Sequence, residues 1–179
     1  GPTARWAGEL ARRLNLHIVL PVKGYIANVL RNAAVVYDRG GRIIGHYEKV
    51  HCTRGEIAQG VVPGGNWPVF EAEFGRFAVL ICHDMSFPEA ARCLALGGAE
   101  ILFWPTHWGG WGQHHDEIVV ASRAIDNGCW VVQVSLAPLP GRLWRPGDHI
   151  ANSGVVDPLG RRISSAGTRV GVSVVAVDL

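Results

Sequence analysis

Apolar positions along the chain fall in short blocks with two rhythms. Between residues 3 and 14, Trp6, Leu10, Ala11 and Leu14 recur at helical spacing and predict an amphipathic helix. LHIVLPV, at 16–22, predicts a short buried strand. NAAVVYD (32–38) and RIIGHYEK (42–49) flank a glycine turn and predict a β-hairpin. Residues 50–67 are polar, glycine-rich and irregular, and read as loop. FAVLIC (77–82) is continuously apolar, the pattern of a strand buried on both faces. Ser86 and Glu89 then stand at capping-box spacing and Pro88 suits a first turn, so a helix is expected over 87–96, ending at Gly97-Gly98. AEILFWP (99–105) and CWVVQVS (129–135) predict strands around a helix at 116–128. After a long loop, 136–152, SGVVDPLGRRISS predicts a second hairpin and VSVVAVDL a final strand.

Strands and helices alternate in the middle, with hairpins at both ends. That order predicts an α/β fold with a mixed sheet, in one domain over 1–179. Apolar residues make up 48% and charged residues 18%, which fits a packed core and not a disordered chain. Net charge is +2, from 17 Lys+Arg against 15 Asp+Glu. Such a balance gives no electrostatic case for nucleic acid or an acidic membrane as partner. The apolar runs are strand-sized, too short to span a bilayer, and no signal-peptide pattern is present. Cys52, Cys82, Cys93 and Cys129 form no CxxC pair. They read as free, mostly buried thiols of a cytoplasmic protein.

Cys82 changes the picture. It closes a buried strand just before a capped helix, and ligands gather outside the carboxyl ends of strands in α/β sheets. A helix N-terminus favours a thiolate and offers N–H groups to an oxyanion. A cysteine nucleophile also needs a base and a charge partner. YEKVH followed by GE places Lys49, His51 and Glu56 at the mouth of one loop. Spacing alone leaves a core thiol and a solvated lysine as open readings.

The blocks NAAVVYDRGGRIIGHYEKVH, FAVLICHDMSFPEAARCLALGGAEILFWPT, SRAIDNGCWVVQVS and SGVVDPLGRRI resemble, in order, the carbon–nitrogen hydrolase family (the nitrilase superfamily). The resemblance implies a nitrilase-like α-β-β-α sandwich with mixed sheets, here lacking the first strand and helix, so that the domain is partial. It makes Cys82 the nucleophile and Lys49 the oxyanion-stabilising cation, with the N–H of His83. It makes Glu56 the loop-borne carboxylate that positions the lysine and the substrate. The implied reaction is hydrolysis of a non-peptide amide or N-carbamoyl bond through a thioester, without metal or cofactor. Family members commonly form homo-oligomers. The family's general-base glutamate has no counterpart, since Glu9 lies in the first helix and Glu48 directly precedes Lys49. The chain also begins without methionine, and an N-terminally truncated fragment is therefore expected. A catalytically inactive binding or assembly module, a thioester acyltransferase and a nitrilase are the alternative readings.

Asp84 reads as a structural carboxylate at a helix start, and CHD favours amide or carbamoyl chemistry over nitriles. Glu89 and Arg92 read as cap and ion-pair residues. In THWGGWGQHHDE, Thr106, His107 and Trp108 are expected to line the substrate pocket together with His83. A metal bound by His107, His114, His115 and Asp116 lacks any established ligand spacing.

Overall fold

Alternating side chains along each strand decide how the layers stack. The computed structural model describes residues 1–107, 113–136, 152–167 and 170–179. Helix α1 (Pro2–Leu14) leads into β1 (Ile18–Ile26), β2 (Val29–Tyr37) and β3 (Ile43–Glu48), an antiparallel sheet in the order β1-β2-β3. A short helix α2 (Arg54–Ala58) follows. Next come β4 (Val69–Ala72), β5 (Gly75–Val79), a 3-10 turn (Cys82–Ser86), α3 (Pro88–Leu96), β6 (Ile101–Thr106), α4 (Gln113–Asn127) and β7 (Trp130–Ser135). β8 (Ser153–Val156) and β9 (Arg162–Gly167) complete a second sheet in the order β4-β5-β6-β7-β8-β9. β5, β6 and β7 are mutually parallel, while β4, β8 and β9 run antiparallel to their neighbours. The sheet is mixed, as the sequence predicts.

One face of the small sheet, Ala34, Val36 and Tyr47, packs on Phe70, Phe77, Val79 and Ile101 of the large sheet. The opposite face of the small sheet, with Val35 and Tyr37, takes Ala7 and Ala11 of α1. The opposite face of the large sheet, with Leu80, Leu102 and Val131, takes Ala91, Leu94 and Ala124 of α3 and α4. The architecture is therefore the α-β-β-α sandwich.

Several elements differ from the pattern reading. The first strand runs to Ile26 and is only half-buried, because it is an edge of the small sheet. α1 buries Ala7, Gly8 and Ala11, whereas Trp6 is 58% exposed and Leu14 is also exposed. The reason is a close backbone approach: a Cβ on Gly8 would lie 2.8 Å from the carbonyl oxygen of Gly41, which turns the β2–β3 hairpin at φ 80°. Only the small-residue face of the helix can come so near. The loop at 50–67 contains α2, whose Thr53-x-x-Glu56 capping box is formed: Glu56 N–H donates to Thr53 Oγ1 and Thr53 N–H to the Glu56 carboxylate. The box expected at Ser86 and Glu89 is absent, since Ser86 belongs to the 3-10 turn and Phe87 is the N-cap. Pro88, at the first helical position, has no N–H to satisfy. Residues 172–179 form no strand: Val172 and Val174 alternate, but among the described residues no strand pairs with them, and both are exposed. All four cysteines are free, and Cys93 is exposed on α3 instead of buried. Most of the loop expected at 136–152 lies outside the described residues.

Gly8→Ala tests the α1 contact. Alanine gains about 1 kcal/mol of helix propensity, but overpacking against a backbone carbonyl costs about 1–3 kcal/mol. Net destabilisation is expected in urea unfolding, while Trp6→Ala stays near neutral.

Candidate active site

Two walls meet at a cleft of about 660 Å³. One wall comes from the carboxyl ends of three consecutive parallel strands and carries Cys82, Thr106 and Ser135. The other comes from the small sheet and its following loop, and carries Asn32, Lys49 and Glu56. Cys82, Lys49 and Glu56, distant in sequence, thus share one space.

Lys49 is the first residue after β3. Its N–H donates to the Asn32 carbonyl at 2.8 Å, and its carbonyl accepts from Gly64 N–H at 2.9 Å. The approach at Gly64 leaves no room for a side chain, since a Cβ there would sit 2.3 Å from the Glu48 carbonyl oxygen. The Lys49 side chain is 2% exposed, so its ammonium needs a partner. Glu56 provides it: Nζ donates to Oε2 at 2.8 Å. The same carboxylate accepts the N–H of Thr53 and the side-chain amide of Asn32. Burial pushes the Glu56 carboxyl up, but these donors outweigh it, Lys49 foremost, and hold it down at about 2.

Cys82 does not end the strand. β5 stops at Val79, and Cys82 opens the 3-10 turn with φ 48°. A non-glycine residue in the left-handed region is held there by its surroundings. Trp104 Nε1 donates to the Cys82 carbonyl at 2.9 Å. Arg123, buried in α4, donates to the Met85 carbonyl at 3.2 Å, and burial lowers its guanidinium pKa. Of the four cysteines, Cys82 is the one that lines the cleft. Burial pushes the thiols of Cys52 and Cys129 up, which disfavours their thiolates.

Thr106 also lines the cleft. It is 8% exposed, and its hydroxyl has no hydrogen-bond partner among the described residues. His107 stands exposed at the rim. Trp108 and the side chains of His114, His115 and Asp116 lie outside the described residues. Among those described, no cluster of three or more His, Cys, Asp or Glu could hold a metal ion. His83 does not line the cleft: its ring packs edge-on against Phe87, and Nδ1 lies 3.2 Å from the His51 carbonyl oxygen. Glu9 and Glu48 do not line it either. Glu89 supplies no cap, and Arg92 donates to the Asp126 carbonyl, tying α3 to α4.

Sequence reasoning missed Asn32, Trp104 and Arg123. Arg123 was within reach, since it and Asn127 both lie in the block SRAIDNGCWVVQVS, and Asn127 donates back to the Arg123 carbonyl. Trp104 sits in an apolar run and carries no signal of its own.

The sandwich and the placement of this cleft define a class. The crystal structure of an amidase from Nesterenkonia sp. superposes with a TM-score of 0.82 over 94% of this chain and 63% of that one, at 24% identity. The carbon-nitrogen hydrolase family model matches residues 1–179, and the chain belongs to that family. It is 31% identical to the omega-amidase NIT3 of Saccharomyces cerevisiae, over 92% of this chain and 60% of the relative. It is 32% identical to the deaminated glutathione amidase of Mus musculus, over 83% and 48%. The chain spans about half to three fifths of the length of these curated relatives.

Glu56 yields a pH prediction. Its carboxyl ionises at about 2 in the fold against an ordinary 4.5. It therefore stabilises the fold fully above pH 4.5, and that contribution is lost as pH falls through 2. Glu56→Gln should be less stable than wild type at neutral pH. The two urea midpoints should converge as pH falls across this window.

Proposed function

We propose that this protein hydrolyses a small non-peptide amide or N-carbamoyl substrate through a thioester on Cys82. The observation that carries the reading is the convergence of Cys82 with a buried, carboxylate-paired Lys49 on one cleft. In this reading the Cys82 sulfur attacks the substrate's carbonyl carbon. The C–S bond forms as the carbonyl π pair moves onto oxygen. That oxyanion is held by the Lys49 ammonium and by the N–H of the peptide joining Cys82 to His83, in a site where charge is poorly screened. Collapse breaks the C–N bond, and ammonia or an amine leaves with a proton. Water then cleaves the thioester to the acid and the free thiol.

Glu56 serves the lysine and is not the base. A carboxyl held at about 2 accepts a proton poorly near neutral pH. The proton from Cys82 goes to another group. Thr106 is the substrate-binding side chain we favour, because a buried hydroxyl without a partner is costly until a ligand bonds to it. His107 and Trp108 complete the rim in the same reading. Similar proteins support it: two are named as amidases of omega-amide and deaminated glutathione type. In a variant of the Nesterenkonia amidase, the acetamide moiety of fluoroacetamide is added at the active-site cysteine.

Two measurements test this. Fluoroacetamide should alkylate Cys82, its sulfur displacing fluoride, ahead of Cys52 and Cys129 in peptide mass spectrometry. Ammonia release from a panel of small aliphatic amides should vanish in Cys82→Ala. In Lys49→Met, kcat should fall about 10²- to 10³-fold, the scale of a lost oxyanion donor. A Cys82→Ala protein that releases ammonia at the wild-type rate overturns the mechanism.

A further inference from the structure

The nucleophile and its cation sit on different layers, and one buried carboxylate touches the backbone beside both. Asp84 is 0% exposed and does not line the cleft. Its Oδ2 accepts the N–H of Ile81 at 2.9 Å and the hydroxyl of Tyr47 at 2.8 Å. Its Oδ1 accepts the N–H of His51 at 2.8 Å and lies 3.1 Å from His51 Nδ1. Ile81 directly precedes Cys82. Tyr47 and His51 stand two residues either side of Lys49. The four contacts fill the acceptor capacity of a carboxylate.

We infer that Asp84 is a positioning residue, which holds the Cys82 turn from the large sheet and the Lys49 segment from the small sheet in one register. The left-handed conformation of Cys82 needs such a restraint. Its preceding residue is held by Asp84 and its carbonyl by Trp104, so both flanks are fixed. On the lysine side, Tyr47 adds a second link: its hydroxyl donates to Asp84 and accepts the N–H of Val50 at 3.2 Å. Burial and the neighbouring Asp84 both raise the Tyr47 pKa, so its hydroxyl keeps the proton it donates.

Cys82, His51 and Asp84 together suggest a cysteine–histidine–aspartate relay, and the geometry argues against it. The His51 ring stacks on Phe87 at 3.9 Å and does not line the cleft. Its bond to Asp84 completes the tie between layers.

This inference rests on reading Cys82 as the nucleophile. The test is the rate of Cys82 alkylation by iodoacetamide at neutral pH, divided by that of Cys93, an exposed thiol on α3 in the same molecule. Asp84→Asn keeps the shape but puts an amide donor against N–H and O–H groups. It should lower the ratio about tenfold or more, since small displacements of a reacting group are costly. Tyr47→Phe removes one bond on the lysine side and should lower the ratio by a smaller factor, about threefold. Asp157→Asn is the control. That buried carboxylate holds the β8–β9 turn through the N–H groups of Leu159 and Arg161, away from the cleft. It should lower the urea midpoint and leave the ratio unchanged. A folded Asp84→Asn protein with the wild-type ratio overturns the inference. If Asp84→Asn does not fold, an unchanged ratio in Tyr47→Phe overturns it. Failure of the nucleophile reading shows differently: in unsubstituted protein, Cys82 would react no faster than Cys93, and the inference would fall with it.

Discussion

The structure around the cleft depends on an ammonium group removed from water. Lys49 is 2% exposed, and the penalty for desolvating a lone ammonium is several kcal/mol. Everything nearby answers that cost. Glu56 is brought within 2.8 Å by α2, a helix too short to persist on its own propensity. Its Thr53–Glu56 capping box fixes the first turn and turns the carboxylate toward the lysine. Asn32, from the neighbouring strand, satisfies the second oxygen. The result is a cation that is neutralised in sum yet still faces the cleft. A charge held this way can stabilise a developing oxyanion without first reorganising solvent.

Restraint on the thiol side has a different origin. Cys82 occupies a left-handed conformation that a non-glycine residue adopts only under constraint, and the constraint comes from three layers at once. Trp104 on β6 holds its carbonyl, Arg123 on α4 holds the end of its turn, and Asp84 ties its leading residue to the small sheet. None of these contacts is local in the sequence beyond Asp84 itself. The stretches CHDMSFPE (82–89) and SRAIDN (122–127) therefore describe one physical object: a tight turn clamped between a sheet and a helix.

What was legible in the sequence follows from the same division. Strand alternation exposed the layers, because the period of two places Val35 and Tyr37 on one face and Ala34 and Val36 on the other. Cys82 and Lys49 were readable as candidates from their places at element ends. Other features were set by tertiary contact and left no local trace. Trp6 and Leu14 fit a helical stripe, yet α1 buries its small residues because Gly8 and Gly41 touch. The valines at 172–174 alternate like a strand, but alternation specifies a face and not a pairing partner. The Thr53-x-x-Glu56 box was a local signal that the irregular composition of its surroundings concealed. His83 follows Cys82 in sequence, but the 3-10 turn carries its ring toward Phe87 instead of the cleft.

Topology then explains why the cleft lies where it does. Parallel pairing of β5 with β6 and of β6 with β7 needs two crossovers, and α3 and α4 supply them on the outer face. All three strands therefore release their chains at the same edge of the large sheet, where Cys82, Thr106 and Ser135 gather. The antiparallel small sheet cannot repeat that arrangement: it contributes Asn32 from within β2, Lys49 from the end of β3 and Glu56 from the loop after it. A site built from two sheets with different connectivities has no covalent register between its halves. Interdigitated packing of the interlayer apolar residues sets the spacing of the sheets, but it does not aim individual backbone groups across them. A directional bond across the layers does, and the buried contacts of Asp84 with Tyr47, His51 and Ile81 are of that kind.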